Sequence, residues 1–574
     1  MAKKIAEVLV DVLAQYNVER VYGLPGDSLN GITDAIRVHG KIKWVHVRHE
    51  ETAAFAAGAD AQLTGKLAVC AGSCGPGNTH LINGLYDCYR SRAPVLAIAA
   101  QIPSSEIGSS YFQETHPELV FADCSVYSET ISHASQVPRV IEIAIQNALA
   151  RQSVAVVIIP GDVALEDAEE ISPRVLATEM GSTTRPTDAA LRVAADILNG
   201  GEKVTILAGA GCAGAHAELM EIAGRLKAPI VHTVRSKDVV AYDSPYDVGL
   251  TGLIGFSSGY HALKACDVLL MLGTDFPYRQ FYPDNAKVVQ VDLRLEQMGR
   301  RTKVHAALVG DVKETIRLLS PLVREFTDRS HLDTATDHYR KVRKDLDALA
   351  VGKPGEKPIH PQYVAKLIDD LAAEDAVFTC DVGTLTVWAA RYLHMNGKRR
   401  LLGSFNHGSM ANALPQAIGA QVAYPKRQVV TLSGDGGISM LLGDLLTLHQ
   451  MKLPVKVVVF SNNSLAFVEL EMKAAGFVTF GTGLYDPNLA KIAEGAGIFG
   501  VHVDDPADLR DALAKAFAHD GPALVDVATA RQELSMPPTI TYEQVKGFSL
   551  WAIRTVLNGR GDELVDLART NLWR

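Results

Sequence analysis

Oxygen-bearing side chains follow two apolar runs in the last third of the chain. Gly434-Asp435-Gly436-Gly437 follows the run 429–432, and Asn462 comes just after the run 455–460. If both runs are buried parallel strands, their carboxyl ends meet at one edge of a sheet and bring Asp435 and Asn462 together. Carboxylate and amide oxygens are hard ligands suited to Mg²⁺, which neutralises a diphosphate. The spacing therefore predicts a metal-diphosphate site.

The segment 438–451 between these runs is predicted to form a helix. Its N-terminus would open on Gly436 and Gly437, so that backbone N–H groups and the helix dipole also face the phosphates. An ordinary strand-to-helix turn is the alternative interpretation of the glycine string. An asparagine at this distance, after a second strand, favours the metal-diphosphate interpretation.

A second candidate carboxylate stands where a predicted strand passes into a helix. Glu50 begins the segment 50–58, which is rich in alanine. A glutamate at a helix start is most often solvated or paired with the helix dipole. The small residues change this expectation, because they allow other elements to pack closely around the first turn. Glu50 is therefore a candidate acid, with Glu51 one residue further along.

Composition restricts the class of protein. The 574 residues predict three or four domains, and a hydrophobic content of 47% indicates a globular chain with a large core. The net charge of −9 argues against nucleic acid as a general partner. Seven scattered cysteines, with no Cys-x-x-Cys motif and no signal peptide, predict buried thiols and a cytoplasmic protein. No apolar run reaches the roughly 18 residues of a membrane-spanning helix.

Short Val, Ile and Leu runs alternate with amphipathic stretches along the whole chain, which predicts an α/β fold of doubly wound parallel sheets. The strand candidates are residues 68–71, 95–100, 155–160, 204–208, 268–273, 288–291, 429–432 and 455–460. Polar segments with prolines, 166–188 and 351–361, have the composition of linkers. The expected division is into three doubly wound domains and a helical tail, residues 1–180, 181–345, 346–532 and 533–574.

The string from Gly434 to Asn462 resembles the GDG…N motif of thiamin diphosphate-dependent enzymes, with 25 residues between Gly436 and Asn462. The resemblance implies that the first and third domains bind the pyrimidine and diphosphate ends of that cofactor. It also implies Asp435, Asn462 and the backbone carbonyl of Ser464 as Mg²⁺ ligands. One departure is Ser461, which stands where the family usually has the first of two asparagines. Asn463 is therefore the alternative ligand to Asn462.

Further strings resemble cofactor-contacting segments of the same family. Arg48-His49-Glu50 resembles its R-H-E string, which implies that Glu50 supplies the proton at N1′ of the aminopyrimidine ring. The segment 71–78 resembles its S-G-P-G loop, for which a plain glycine-proline turn is the alternative. Phe112 and Gln113 resemble its F-Q-E loop, whose side chains lie over the thiazolium ring; a packed aromatic residue on a loop is the alternative there.

The loop 406–415 resembles the segment that bends the cofactor, with Met410 as the wedge and the Gly408 carbonyl as the acceptor for the amino group. A core methionine is the alternative. The residues expected to contact thiamin diphosphate are Glu50, Gly383, Gly408, Ser409, Met410, Asp435, Gly436, Gly437, Asn462, Asn463, Ser464, Leu465, Ala466, Phe467 and Val468.

The middle domain carries a GxGxxG string, 209–214, after the predicted strand 204–208. Alone it is a weak dinucleotide signal, because no acidic residue is correctly placed for a NAD fingerprint. Together with later strand-end strings it resembles the FAD-binding domain of pyruvate oxidases and acetohydroxyacid synthases. A degenerate domain without flavin is the alternative. The expected FAD contacts are Gly209, Gly211, Arg235, Thr251, Gly252, Leu253, Ile254, Thr274, Asp275, Phe276, Pro277, Tyr278, Arg279 and Asp292.

Within the family, the whole chain resembles the quinone-dependent pyruvate oxidases. This implies oxidative decarboxylation of pyruvate to acetate and CO₂, with electrons passing through FAD to a membrane quinone. Phe467 and Glu471 match positions that relay electrons and contact substrate, although Phe467 is equally consistent with ordinary core. The family's shared active sites imply a homo-oligomer, a dimer of dimers (homotetramer). The alternatives are an acetohydroxyacid synthase-type carboligase and a phosphate-dependent, peroxide-forming pyruvate oxidase.

The tail, predicted to be helical, contains the string 547–557 and then the segment 562–574. Leu564, Leu567, Ala568 and Leu572 fall on one helical face, with Trp573 beside them, which is typical of an interfacial helix. The resemblance implies that this tail binds the lipid bilayer at the inner face of the cell membrane. A helix packed on its own body or on a dimer partner is the alternative.

Overall fold

A computed structural model describes residues 3–168, 183–485, 487–535, 537–539 and 542–571. Three parallel sheets of six strands each, flanked by helices, make up the body of the molecule. The prediction of three doubly wound α/β units is confirmed. The predicted linker at 166–188 lies mostly outside the described residues, whereas 351–360 forms an irregular connection. The predicted division at 345/346 falls inside a helix.

The first sheet has the strand order β2-β1-β3-β4-β6-β5. Its elements are α1 Ile5–Gln15, β1 Arg20–Gly23, α2 Asn30–His39, β2 Lys43–His46, α3 Glu50–Thr64, β3 Ala68–Gly72, α4 Pro76–Ser91, β4 Val95–Gln101, α5 Pro117–Val120, β5 Tyr127–Thr130, α6 Val137–Arg151 and β6 Val154–Pro160. The chain reverses its direction of strand addition between β1 and β3, which neighbour each other.

The second sheet has the order β12-β11-β10-β7-β8-β9, with its reversal between β7 and β10. Its elements are α7 Asp188–Asn199, β7 Val204–Ala208, α8 His216–Leu226, β8 Ile230–His232, α9 Lys237–Val240, β9 Asp247–Leu250, α10 Ser257–Lys264, β10 Val268–Leu272, β11 Lys287–Asp292, β12 Ala306–Val309, α11 Val312–Leu319 and α12 Ser330–Leu349. The long helix α12 leads towards the third sheet.

The third sheet has the order β14-β13-β15-β16-β18-β17, with its reversal between β13 and β15. Its elements are α13 Pro361–Leu371, β13 Val377–Cys380, α14 Thr384–Tyr392, β14 Arg400–Gly403, α15 Ala413–Ala423, β15 Val429–Gly434, α16 Asp435–Met440, α17 Leu445–Gln450, β16 Lys456–Ser461, α18 Ala466–Ala474, α19 Leu489–Gly495, β17 Phe499–Val503, α20 Pro506–Ala518 and β18 Ala523–Ala528. Strands β15 and β16 are adjacent and parallel, as the spacing predicted.

The predicted helix 438–451 is wrong in its extent. Helix α16 begins at Asp435, and a 3-10 turn at Leu442–Asp444 separates it from α17. The physical reason is a tertiary contact. The buried Asp444 carboxylate accepts hydrogen bonds from the backbone N–H of Arg48 (2.8 Å) and from the hydroxyl of Thr52 (2.6 Å). These bonds to the first domain fix a chain direction that a continuous helix would not allow.

Small residues let α3 lie in the middle of the molecule, against both α4 and α15. A Cβ added at Gly84 of α4 would stand 2.5 Å from the Ala54 side chain, and one at Gly419 of α15 would stand 2.1 Å from the Ala56 carbonyl oxygen. No larger residue fits at either crossing without displacing backbone. The expectation of close packing around α3 is confirmed, and it joins the first and third domains through one continuous core.

The tail forms α21 Tyr542–Leu557 and α22 Asp562–Asn571. Helix α21 packs on α18: Trp551 is 1% exposed, and a Cβ at Gly547 would stand 1.8 Å from the Ala474 carbonyl oxygen. In α22, Leu564, Leu567 and Ala568 are half-buried. This arrangement agrees with the alternative of a helix packed on its own body.

Leu572, Trp573 and Arg574, which belong to the predicted interfacial segment 562–574, lie outside the described residues. None of the described helices is both long enough and apolar enough to cross a membrane. All seven cysteines are buried and unpaired, as composition predicted.

Candidate active site

The predicted metal ligands converge at the edge where β15 and β16 end. Gly434 is paired with Phe460 across the two strands, so the residues that follow them are neighbours. The Asp435 carboxylate accepts hydrogen bonds from the backbone N–H groups of Asn462 (3.1 Å) and Asn463 (2.6 Å). Burial raises the pKa of Asp435 above its ordinary value, while these N–H groups oppose that rise. A divalent cation would replace the missing solvation of this carboxylate.

The loop after β16 turns sharply beside Asp435. The Asn462 side-chain oxygen accepts a hydrogen bond from the backbone N–H of Ser464 (3.0 Å), and Asn463 has a left-handed φ of 58°. Both asparagines therefore lie within reach of Asp435, and the backbone alone does not choose between them as ligands. The hydroxyl of Ser464 is held by Glu469 at 2.5 Å.

A third strand, β13, brings Asp381 to the same edge. Its carboxylate accepts from the backbone N–H groups of Ala413 (3.0 Å) and Gly434 (3.3 Å), and burial raises its pKa to about 6. A Cβ at Gly437 would stand 2.3 Å from this carboxylate, which explains why that position is glycine. Gly383, two residues after Asp381, has open space within 4 Å of its Cβ position, so a ligand can approach its backbone.

The loop before α15 reaches over the glycine turn. The methyl group of Met410 stands 3.4 Å from the Cβ position of Gly436, and Leu465 stands 2.9 Å from the same position. Gly408 has a φ of +83° and nothing within 4 Å of its Cβ position. Met410, Ser409 and Gly408 are therefore placed next to the predicted diphosphate site. This position does not fit a methionine buried in a core, because Met410 is half-exposed.

Glu50 is a buried carboxylate on the first turn of α3, 4% exposed. One of its oxygens lies 2.9 Å from Nδ1 of His80 on α4, and the other stands 3.1 Å from the Cβ position of Gly77. The His80 ring stacks on His49 with centroids 4.3 Å apart. Sequence reasoning missed His80. Its position on the first turns of α4, directly after the glycine-proline loop, was the available signal.

Glu51, the neighbour of Glu50, faces a different part of the molecule. Its carboxylate accepts a hydrogen bond from Asn83 (2.7 Å), which also donates to the hydroxyl of Ser409 (2.9 Å). In the described part of the chain, the hydrogen-bond partner found for the Glu50 carboxylate is His80 of its own domain. A single chain therefore connects Glu51, and not Glu50, to the loop that carries Met410.

The predicted aromatic loop lies beside the glycine-proline turn. The Gln113 side-chain oxygen accepts from the Cys74 thiol at 3.4 Å, and the Gln113 backbone closes on Gly75. Phe112 is 78% exposed, so its side chain is not a packed core aromatic in the single chain. It remains available to cover a ligand or a second subunit.

Helix α18 carries the remaining predicted residues of this site. Phe467 is half-buried against the core of the third domain, and Ala466 is half-buried beside it. Val468 and Glu471 are exposed. Sequence reasoning missed Glu469, whose buried carboxylate receives hydrogen bonds from Ser464, Thr482 (2.9 Å) and Arg531 (2.5 Å). Burial alone would raise the pKa of Glu469, but these donors hold it below its ordinary value.

The predicted flavin residues gather at the carboxyl edge of the second sheet, around its reversal point. The loop 209–211 packs directly on Gly273, since a Cβ at Gly209 would stand 2.4 Å from the Gly273 carbonyl oxygen. Two buried polar atoms there, the hydroxyl of Thr251 and one carboxylate oxygen of Asp292, have no hydrogen-bond partner among the described residues. Such atoms are rare without a ligand. The donor and acceptor set fits a polar cofactor at this edge.

Other predicted flavin residues have protein partners. Arg235 donates to the Ser91 carbonyl (2.5 Å), and Asp275 lies 3.6 Å from Arg92. These bonds tie the second domain to the end of α4. Thr274 and Phe276 are buried, and Gly252 lies within 3.1 Å of the Phe276 ring at its Cβ position. The exposed or half-buried members of the set are Gly211, Leu253, Ile254, Pro277, Tyr278 and Arg279.

Three parallel domains with ligand-binding features at their reversal points define an α/β enzyme for phosphorylated cofactors. Comparison with known families makes the class specific. Residues 3–120 match the N-terminal TPP binding domain of thiamine pyrophosphate enzymes, residues 191–319 match the central domain and residues 381–527 match the C-terminal TPP binding domain. The chain belongs to the thiamine pyrophosphate enzyme family.

Relatives of similar length have several activities in their names. The putative thiamine pyrophosphate-containing protein YdaP of Bacillus subtilis is 36% identical over 99% of both chains. The pyruvate oxidase of Lactiplantibacillus plantarum is 33% identical over 90% of this chain and 87% of its own. A probable acetolactate synthase large subunit of Methanococcus aeolicus is 29% identical over 93% of both. The family is thus established, and the relatives include oxidases and synthases.

Proposed function

We propose that the protein is a thiamin diphosphate-, Mg²⁺- and FAD-dependent oxidoreductase that converts pyruvate to acetate and CO₂ and passes the electrons to a membrane quinone. The observation that carries the proposal is the convergence of Asp435, Asn462 and Met410 at one sheet edge, together with the unpartnered Thr251 hydroxyl and one unpartnered Asp292 oxygen at another. The first site suits decarboxylation, and the second suits a flavin. The similarity to a pyruvate oxidase supports the choice of substrate.

The residues of the chain have separate tasks in this proposal. When bound, thiamin diphosphate supplies the electron sink for loss of CO₂. Asp435, Asn462 and the Ser464 carbonyl would hold the Mg²⁺ that neutralises the diphosphate, and Met410 would lie against the cofactor as the wedge residue. Glu50 holds a proton at N1′ of the aminopyrimidine ring, and the buried position of that carboxyl keeps water from it. His80 orients the Glu50 carboxyl.

Two polar atoms at the carboxyl edge of the second sheet would each contact the flavin cofactor. The free carboxylate oxygen of Asp292 would accept from a ribose hydroxyl, since its other oxygen is already bonded to the Arg294 N–H at 3.0 Å. The Thr251 hydroxyl would meet a polar atom of the same cofactor. When bound, FAD supplies the two-electron acceptor that a carboligase does not need for its reaction.

Anaerobic flavin bleaching separates this proposal from its alternatives. Addition of pyruvate to the loaded protein should reduce the flavin and release one CO₂ per flavin, with acetate as the product. Reoxidation by a soluble quinone, faster than by O₂, would support the quinone assignment. Acetyl phosphate and peroxide formation would instead identify the phosphate-dependent oxidase. Formation of a condensed hydroxyketoacid, with the flavin still oxidised, would identify the carboligase and contradict the proposal.

The tail supplies the proposed bilayer contact, through a different surface from the one expected. Ile553, Val556 and Leu557 share one face of α21 and are 59%, 55% and 80% exposed. Their burial in a bilayer surface, at about 25 cal/mol per Å², is sufficient for reversible attachment. The buried Trp551 lies on another face and holds the helix on the body.

Replacement of Ile553, Val556 and Leu557 by serine should abolish binding to anionic vesicles in the presence of pyruvate. Dye reduction in solution should persist, because Trp551 keeps α21 in place. Co-sedimentation with vesicles measures the effect, and Val193→Ser is the matched control, since Val193 is 50% exposed on α7 of the middle domain. If the wild-type protein stays in the supernatant when the vesicles are sedimented, this result would contradict the proposed membrane contact.

A further inference from the structure

One face of α4 supports the loop that carries Met410. Asn83, Tyr86, Asp87 and Arg90 recur at helical spacing, and each contacts the segment 404–409 of the third domain. Asn83, Asp87 and Arg90 make hydrogen bonds to this segment. The Tyr86 ring stacks on the His407 ring, with centroids 5.5 Å apart. The loop is therefore held by the first domain, and not only by its own.

Asp87 is the buried anchor of this face. One carboxylate oxygen accepts from the hydroxyl of Ser404 (2.8 Å) and the other from the side chain of Gln416 (3.3 Å). The Ser404 hydroxyl in turn accepts from the backbone N–H of Ser409 (3.1 Å). A chain of three groups therefore runs from the Asp87 carboxylate to the residue beside Met410. Asp87 is 1% exposed, and this burial raises the pKa of its carboxyl group to about 6.

Asn83 reaches the same loop from one helical turn earlier. Its side-chain N–H₂ donates to the Ser409 hydroxyl at 2.9 Å, and its oxygen lies 2.8 Å from Nε2 of His407. The Ser409 hydroxyl itself donates to the Met410 carbonyl at 2.9 Å. Asn83 thus restrains the side chain of Ser409, and Asp87 restrains its backbone through the Ser404 hydroxyl.

We propose that Asn83 and Asp87 are positioning residues for the cofactor-bending loop, and that they act on Met410 through Ser409 and Ser404. The inference rests on the proposed binding of thiamin diphosphate beside Met410. A loop held at two points by another domain keeps the wedge at a fixed distance from the glycine turn. A displacement of about 1 Å at such a position costs about a hundredfold in rate.

The test uses the loaded protein with thiamin diphosphate and Mg²⁺. Asn83→Ala and Asp87→Ala should each speed amide hydrogen exchange in the peptide 404–410 by about tenfold, because buried hydrogen bonds to Ser404 and Ser409 are lost. Exchange of the C2 proton of the cofactor, followed by acid quench and NMR, should fall about ten- to a hundredfold. Cofactor affinity should change by less than about threefold, because the metal end remains intact.

Thr79→Ala is the matched control, because Thr79 is exposed on the same helix and its hydroxyl bonds the Pro76 carbonyl. It should leave both exchange rates unchanged. Ser404→Ala and Asp87→Asn provide milder variants if Asp87→Ala does not fold; Asp87→Asn keeps an acceptor for Ser404 and should recover part of the loss. Unchanged loop protection, or a looser loop with an unchanged C2 exchange rate, would overturn the inference. Absence of C2 exchange in the wild-type protein would instead overturn the proposed function.

Discussion

Glu50→Gln should lower the rate of cofactor C2 proton exchange by about 10²- to 10⁴-fold, the usual effect of removing a general acid–base group. The amide has nearly the shape of the carboxyl group and can still meet His80, so α3 should fold normally. Thiamin diphosphate affinity should stay close to that of the wild-type protein. Proton NMR after an acid quench measures the exchange, and isothermal titration measures the affinity.

The matched control is Glu51→Gln, one residue further along α3. Glu51 accepts a hydrogen bond from Asn83 and does not contact His80, and a glutamine keeps an oxygen that can accept the same bond, so the exchange rate should stay within a few-fold of wild type. A larger loss for Glu51→Gln than for Glu50→Gln would reverse the assignment of the acid.

Mixing Glu50→Gln chains with Asp435→Ala chains should restore activity if the two residues come from different subunits, as the family implies. No recovery after verified subunit exchange would contradict a shared site.

Loss of a proposed metal ligand should have the second large effect. Asp435→Ala should weaken Mg²⁺ and thiamin diphosphate binding together by well over about 10- to 100-fold, the typical cost of losing a residue that only hydrogen-bonds a metal ligand. Asn462→Ala should do the same, because both residues lie at the ends of adjacent strands. Titration of each variant with Mg²⁺ at a fixed cofactor concentration measures the effect.

The choice between the asparagines needs a substitution that respects the backbone. Asn463 has a φ of 58°, where alanine is strained and glycine is not, so Asn463→Gly isolates the side chain. Asn462→Asp keeps an oxygen in place and should retain much of the metal affinity. If Asn463→Gly loses the metal and Asn462→Ala keeps it, then the ligand is Asn463.

Strand positions were predictable because buried parallel strands are short apolar runs bounded by turns. The runs 204–208 and 429–432 became β7 and the first part of β15, and the adjacency of β15 and β16 followed from the site chemistry. Neither the strand order of the three sheets nor the meeting of α3 with α15 could be read from a run of residues. The strand order depends on pairings between segments dozens of residues apart, such as Val21 with Val69, and the contact of α3 with α15 joins segments hundreds of residues apart.

Glu469, His80 and the break before α17 could not be predicted from the sequence, and the physical reason is the same for all three. Glu469 and Glu471 are two positions apart on a helix and so face nearly opposite directions, and the face of α18 that turns inward is set by Thr482 and Arg531. His80 is defined by its distance from Glu50 on another helix. The break before α17 reflects bonds from Asp444 to the first domain. Local sequence carries none of this information.

The packing of α21 on α18 has a consequence for how the protein is made. Helix α18 begins two residues after Ser464, while the helix that covers it, with Trp551 buried, is synthesised only after the strands of the third sheet. The amine of Lys473 lies 5.1 Å from the Trp551 ring centroid, so α21 cannot cover it until residues 542–557 have been synthesised. A premature stop codon before Trp551 would therefore leave a nascent product with all three described sheets complete, but with the helix that follows Asn462 and Ser464 exposed to proteolysis.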